Sequence, residues 1–167
     1  MKDLVKLGPL AVGLALFGMV VAYMLQRNMT LGPWLFAAFL LGHGLVHVMF
    51  AAPAPAPAPA GGMEYPFDIG RSWLVTGRFL DREVIRVLVL ALVALTVAIY
   101  ALTALATLNF VVPNGLWAPL LITATTGSVA LMVIGLTPAL SLGIVIDVVL
   151  FAIALSNVWS PAGQLPA

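Results

Sequence analysis

From Val87 to Ala167 the chain carries a single charged residue, Asp147. No globular domain could cover its water-facing surface with such a stretch, because about a quarter of the residues in soluble domains are charged. The full chain follows the same pattern, with 63% hydrophobic and 8% charged residues. This composition predicts a membrane protein and excludes an ordinary soluble enzyme or a disordered tail. A formal net charge of +1 offers no basic field to a nucleic-acid backbone. The absence of Cys excludes disulfides, thiolate nucleophiles and Cys-held zinc or iron–sulfur centres.

The charges mark off five apolar runs, at about 7–25, 31–52, 84–108, 116–136 and 140–159. Each reaches the ~20 residues a helix needs to cross the hydrocarbon core. Backbone polar groups in lipid must be satisfied within the segment, and the period-2 alternation of a membrane barrel is missing. The expected fold is all-α: a polytopic transmembrane helix bundle with five spans, forming one membrane domain over 1–167. The short separator Thr137-Pro138 predicts a tight antiparallel hairpin between the last two spans. The first run lacks a small-x-small cleavage site near Tyr23-Met24-Leu25-Gln26, so it reads as a retained helix.

Lys2 and Lys6 precede the first run, and Arg71, Arg78, Arg82 and Arg86 follow the second, while Arg27 stands on the opposite side. The positive-inside rule then makes the N-terminus and the 53–83 loop cytoplasmic. Trp34, Trp117 and Trp159 fall near the predicted outer ends of helices, where an interfacial aromatic belt is expected. The 53–83 segment opens with Pro at every second position from Pro53 to Pro59, a semi-rigid polyproline spacer. Its second half mixes Tyr65, Phe67, Trp73 and Phe79 with charge, as an interfacial loop does.

Ionisable residues inside a membrane are costly and mark functional candidates. Three qualify: His43, His47 and Asp147. His43 and His47 are one turn apart on one helix face. Counting ~1.5 Å per residue from the cytoplasmic ends puts His47, His43, Asp147 and Ser128 roughly 7, 13, 10 and 12 Å deep. Equal depth permits a His43–His47–Ser128–Asp147 polar cluster. An i, i+4 His pair plus one carboxylate is also a three-ligand set for a divalent metal such as zinc or non-haem iron. The spacing matches half of a zincin motif, but Gly44 stands where the motif has Glu. A proton relay through the same groups, and a purely structural tie between helices, are the other two roles open to them.

The stretch Leu41-Gly42-His43-Gly44-Leu45-Val46-His47-Val48-Met49-Phe50 resembles the HGLIHL-type helix of small bacterial integral membrane proteins. Arg71-Ser72-Trp73-Leu74, the Ala/Leu-rich run 84–108, Ser128 and Leu142-Gly143-Ile144-Val145-Ile146-Asp147 continue that likeness, and the arrangement is similar to DoxX-like proteins. The extra N-terminal run and the Ala-Pro spacer depart from it. The resemblance implies a multi-pass protein of a bacterial plasma (inner) membrane and singles out His43, His47 and Asp147, but implies no activity. The expected function is a membrane accessory or scaffold component, in contact with lipid and with a partner subunit or a second copy. The alternatives are a membrane enzyme or redox/metal-binding protein using the cluster, or a proton-coupled carrier.

Overall fold

The computed structural model describes residue 23, residues 31–52, 65, 67–135, 140–156 and 159–161. The first apolar run, the Ala-Pro spacer and the separator at 136–139 lie outside these residues. Every regular element among the described residues is helical. They are α1 (Leu31–Val46), the four-residue α2 (Trp73–Thr76), α3 (Arg82–Thr107), α4 (Trp117–Ile134) and α5 (Ser141–Ser156). The segments Gly32–Phe50, Arg82–Thr107 and Asn114–Ile134 are long and apolar enough to cross a membrane, and α5 is a shorter apolar helix of 16 residues.

Local chemistry sets the helix ends. Pro33 and Pro119 lie in the first turns of α1 and α4, where the missing N–H costs nothing. α3 stops where Asn109 takes a left-handed φ of 51°. There Asn109 N–H donates to Ala106 and Phe110 N–H to Leu105, so two carbonyls of the last turn find partners. α1 tightens into a 3-10 turn over His47–Phe50. The tightening starts at His47, whose ring competes for the carbonyls of its own helix.

In order of contact, α1 packs on α3, α3 on α4 and α4 on α5. α4 and α5 run antiparallel: Ser128 meets Asp147, and a turn further on Met132 lies against Gly143. Two glycines let α3 come close to its neighbours. A Cβ on Gly44 would stand 2.7 Å from Tyr100 Cβ, and one on Gly127 would stand 2.7 Å from Thr96 Oγ1. α1 and α5 share no such packing, and a cleft separates them.

The 65–80 segment caps the bundle. Ser72 Oγ donates to the carbonyl of Ile134 at 2.7 Å, and Trp73 Nε1 donates to that of Val133 at 2.8 Å. These are carbonyls at the end of α4 that have no partner within the helix. Tyr65 donates to the Met49 carbonyl at 2.8 Å, and burial pushes its phenol above its ordinary value. The interfacial loop of the sequence reading is thus a plate of donors laid over helix ends.

The aromatic belt needs correction. Trp34 faces outward at 61% exposure, but Trp117 and Trp159 are buried. They pack edge to face on each other at 5.3 Å, and Phe36 lies 4.9 Å from Trp159. Position near a helix end does not fix rotation, and these two rings turn inward to fill the space where α1, α4 and the chain after α5 converge.

Replacing Trp73 with Phe should keep the ring but remove its hydrogen bond to the Val133 carbonyl. The expected loss is about 1 kcal/mol, read by thermal unfolding of the purified protein, whereas Trp34→Phe should leave the midpoint unchanged.

Candidate functional site

The sequence-predicted residues meet in one place. Asp147 of α5 is wholly buried and is surrounded by polar groups from each of the other long helices among the described residues. His43 Nε2 lies 2.9 Å from its Oδ1, and Tyr100 of α3 donates to the same oxygen at 2.6 Å. Ser128 of α4 donates to Oδ2. His47 Nε2 lies 2.6 Å from Ser128 Oγ. The other His47 nitrogen, Nδ1, faces the carbonyls of His43 and Gly44 at 3.0 and 3.2 Å.

The depth count from helix ends brought His43, His47, Ser128 and Asp147 to one level, and they are hydrogen-bonded there. It missed Tyr100. Tyr100 is eighteen residues from Arg82, while Gly44, against which it packs, is six from Phe50, where the 3-10 turn that continues α1 ends. α3 therefore projects past that turn by about twelve residues, or roughly 18 Å. That projection carries the exposed Arg82, Glu83 and Arg86 and supports the 65–80 plate. The available signal was the phenol itself, set in an otherwise aliphatic run from Val87 to Ala106 with Thr96 and Thr103 as its other polar members.

Nδ1 of His47 meets only acceptors, so it carries a hydrogen. Four other contacts remain: His43–Oδ1, Tyr100–Oδ1, Ser128–Oδ2 and His47–Ser128. With Asp147 ionised and both imidazoles neutral, the five residues bring one hydrogen too few, because Ser128 has a single O–H for two neighbours that both accept. Every contact is filled only when the cluster holds one further proton. It sits either on His47 Nε2, with Asp147 ionised, or on Asp147 Oδ2, with the Ser128 hydroxyl turned toward His47. The two forms interconvert by moving hydrogens along His47–Ser128–Asp147, and both have no net charge. A neutral, fully bonded cluster is the form a low-dielectric interior tolerates.

His43 differs from the other members. Its Nε2 is committed to Asp147, while its Nδ1 has no partner among the described residues. Its ring is stacked on Phe39 at 5.9 Å and meets Tyr100 edge-on at 5.3 Å. The nearest donor atoms of His43, His47 and Asp147 all lie within 4.8 Å of one another, the spacing a metal ion would need to draw them in. No protein-family model, curated protein or solved structure matches this chain.

Asn at position 147 reproduces the neutral form of the cluster: its amide donates to Ser128 and its carbonyl accepts from His43 and Tyr100. Asp147→Asn should therefore unfold near the wild-type temperature. Asp147→Leu strands the His43 and Tyr100 donors, while the Ser128 hydroxyl still reaches His47, and should lose about 2–4 kcal/mol, reckoned at the cost of leaving buried donors unmet. Thermal unfolding of both variants in detergent checks this.

Proposed function

We propose that this chain is an accessory or scaffold component of a bacterial plasma membrane, akin to the small HGLIHL-type membrane proteins. In this reading it has five spans, a cytoplasmic N-terminus and a cytoplasmic 53–83 loop. The observation that carries it is the single cluster joining α1, α3, α4 and α5 through Asp147. Such a tie fixes the rotation of each helix, so the outer faces present a constant surface to lipid, to a partner subunit or to a second copy. Those faces are apolar: Val87, Leu95, Val145, Val148 and Leu155 are each more than half exposed.

The topology is tested with single cysteines, since the native chain has none. Cysteines at Lys2 and Ala58 should resist a membrane-impermeant maleimide in intact cells, and one at Ser160 should react. Labelling at Ala58 in intact cells would reverse the orientation.

A divalent metal centre is the second function to weigh, and it rests on the 4.8 Å clustering of His43, His47 and Asp147 donor atoms. Binding would draw His47 Nε2 away from Ser128 and leave room for water at the ion. Elemental analysis of purified protein separates the two. One equivalent of zinc or iron, lost in both His43→Ala and His47→Ala, establishes the metal centre. Protein that is metal-free and keeps its full stability through chelation supports the scaffold.

A further inference from the structure

Between α1 and α5 lies a cavity of about 340 Å³. Its size is within the range of small-molecule sites. Phe39, Gly42 and Val46 line it from α1, and Leu142, Gly143 and Ile146 from α5. Among the described residues, the polar side chains on its wall are His43 and His47. His47 has both nitrogens occupied. His43 does not. Its side chain is only 9% exposed, yet its Nδ1, unpartnered among the described residues, is not among the sealed polar atoms, and the residue lines the cavity.

The state of that nitrogen follows from the cluster behind it. Asp147 Oδ1 accepts hydrogen bonds in both proton placements, so His43 Nε2 carries the hydrogen and Nδ1 of the neutral ring is a bare acceptor. Phe39 and Tyr100 hold the ring in place. The cavity therefore presents one oriented acceptor on an otherwise apolar wall, and it opens between two helices that make little contact with each other. A lipid acyl chain would fill the space and leave the acceptor unmet. We infer that the α1–α5 cleft binds a lipid-soluble small molecule carrying a weakly acidic hydroxyl, of the phenol class. The O–H donates to His43 Nδ1, and the apolar body lies against Phe39, Val46 and Ile146.

The site can be closed without touching the cluster. A Cβ at Gly42 meets nothing within 4 Å, so Gly42→Leu grows into open space and also gains helix propensity. The experiment is native mass spectrometry of the full chain released from lipid nanodiscs, titrated with octylphenol or with octylbenzene, which lacks the hydroxyl. The expected result is a one-to-one octylphenol adduct at a concentration about tenfold lower than octylbenzene requires. Gly42→Leu should abolish it at unchanged thermal stability. Equal binding of the two probes overturns the inference, because the hydroxyl is then not read. Undiminished binding to Gly42→Leu overturns the location. Absence of any adduct in the wild type, the result if lipid chains or residues before Leu31 fill the cleft, overturns the site itself. The comparison of the two probes needs only the wild-type protein, so it stands even if the variant fails to fold.

Discussion

A carboxyl group sealed among apolar helices has to be neutralised or fully bonded, and the arrangement of this molecule follows from how Asp147 meets that demand. An isolated charge there would be costly. Instead His43, Tyr100 and Ser128 point at the two carboxyl oxygens, and His47 completes the chain through Ser128. The net result is a cluster without net charge, holding one proton that has two resting places. Because its members come from four helices, rotating any one helix breaks at least one bond. Packing among aliphatic side chains alone specifies rotation poorly in lipid, where every face is equally apolar.

The rest of the architecture serves that junction. Gly44 allows the Tyr100 side chain to come within 2.7 Å of where a Cβ would stand, which brings the phenol within reach of Asp147. α3 is long enough to overshoot α1, and its projecting turns carry the plate that caps α4 through Ser72 and Trp73. The same junction leaves an opening. α1 and α5 are bridged by His43 and Asp147 with little close backbone contact, so a cavity remains beside His43 Nδ1, which has no partner among the described residues. Structural tie and ligand-facing acceptor are thus two sides of the same ring.

Much of this could be read from residues alone. The scarcity of charge marked the apolar helices, because a membrane-spanning helix needs length and apolarity and little else. The polar quartet could also be read, since His43, His47 and Asp147 are ionisable groups in apolar runs and depth follows from residue count. Tyr100 was hidden because counting from helix ends assumes the ends are level, and α3 overshoots. Trp117 and Trp159 were misassigned to the interface because position along a helix says nothing about the direction a side chain takes. The bond between Ser72 and the end of α4 spans sixty-two residues, and no local pattern announces it. Gly42 and Gly44 look equivalent in sequence. In the fold one lies against Tyr100 and the other opens on the cleft.

The central claim is the placement of hydrogens in the cluster, and the chain has only two histidines through which to observe it. Solid-state nitrogen NMR of histidine-labelled protein in lipid bilayers reads each ring nitrogen directly. The account predicts one ring, His43, protonated at Nε2 and bare at Nδ1. It predicts a second, His47, that always carries a hydrogen on Nδ1 and exchanges one with Ser128 at Nε2. Loss of the Nε2 exchange signal in Ser128→Ala would assign it. A His47 ring bare at Nδ1, or a His43 ring protonated at Nδ1 and bare at Nε2, would contradict the cluster as described.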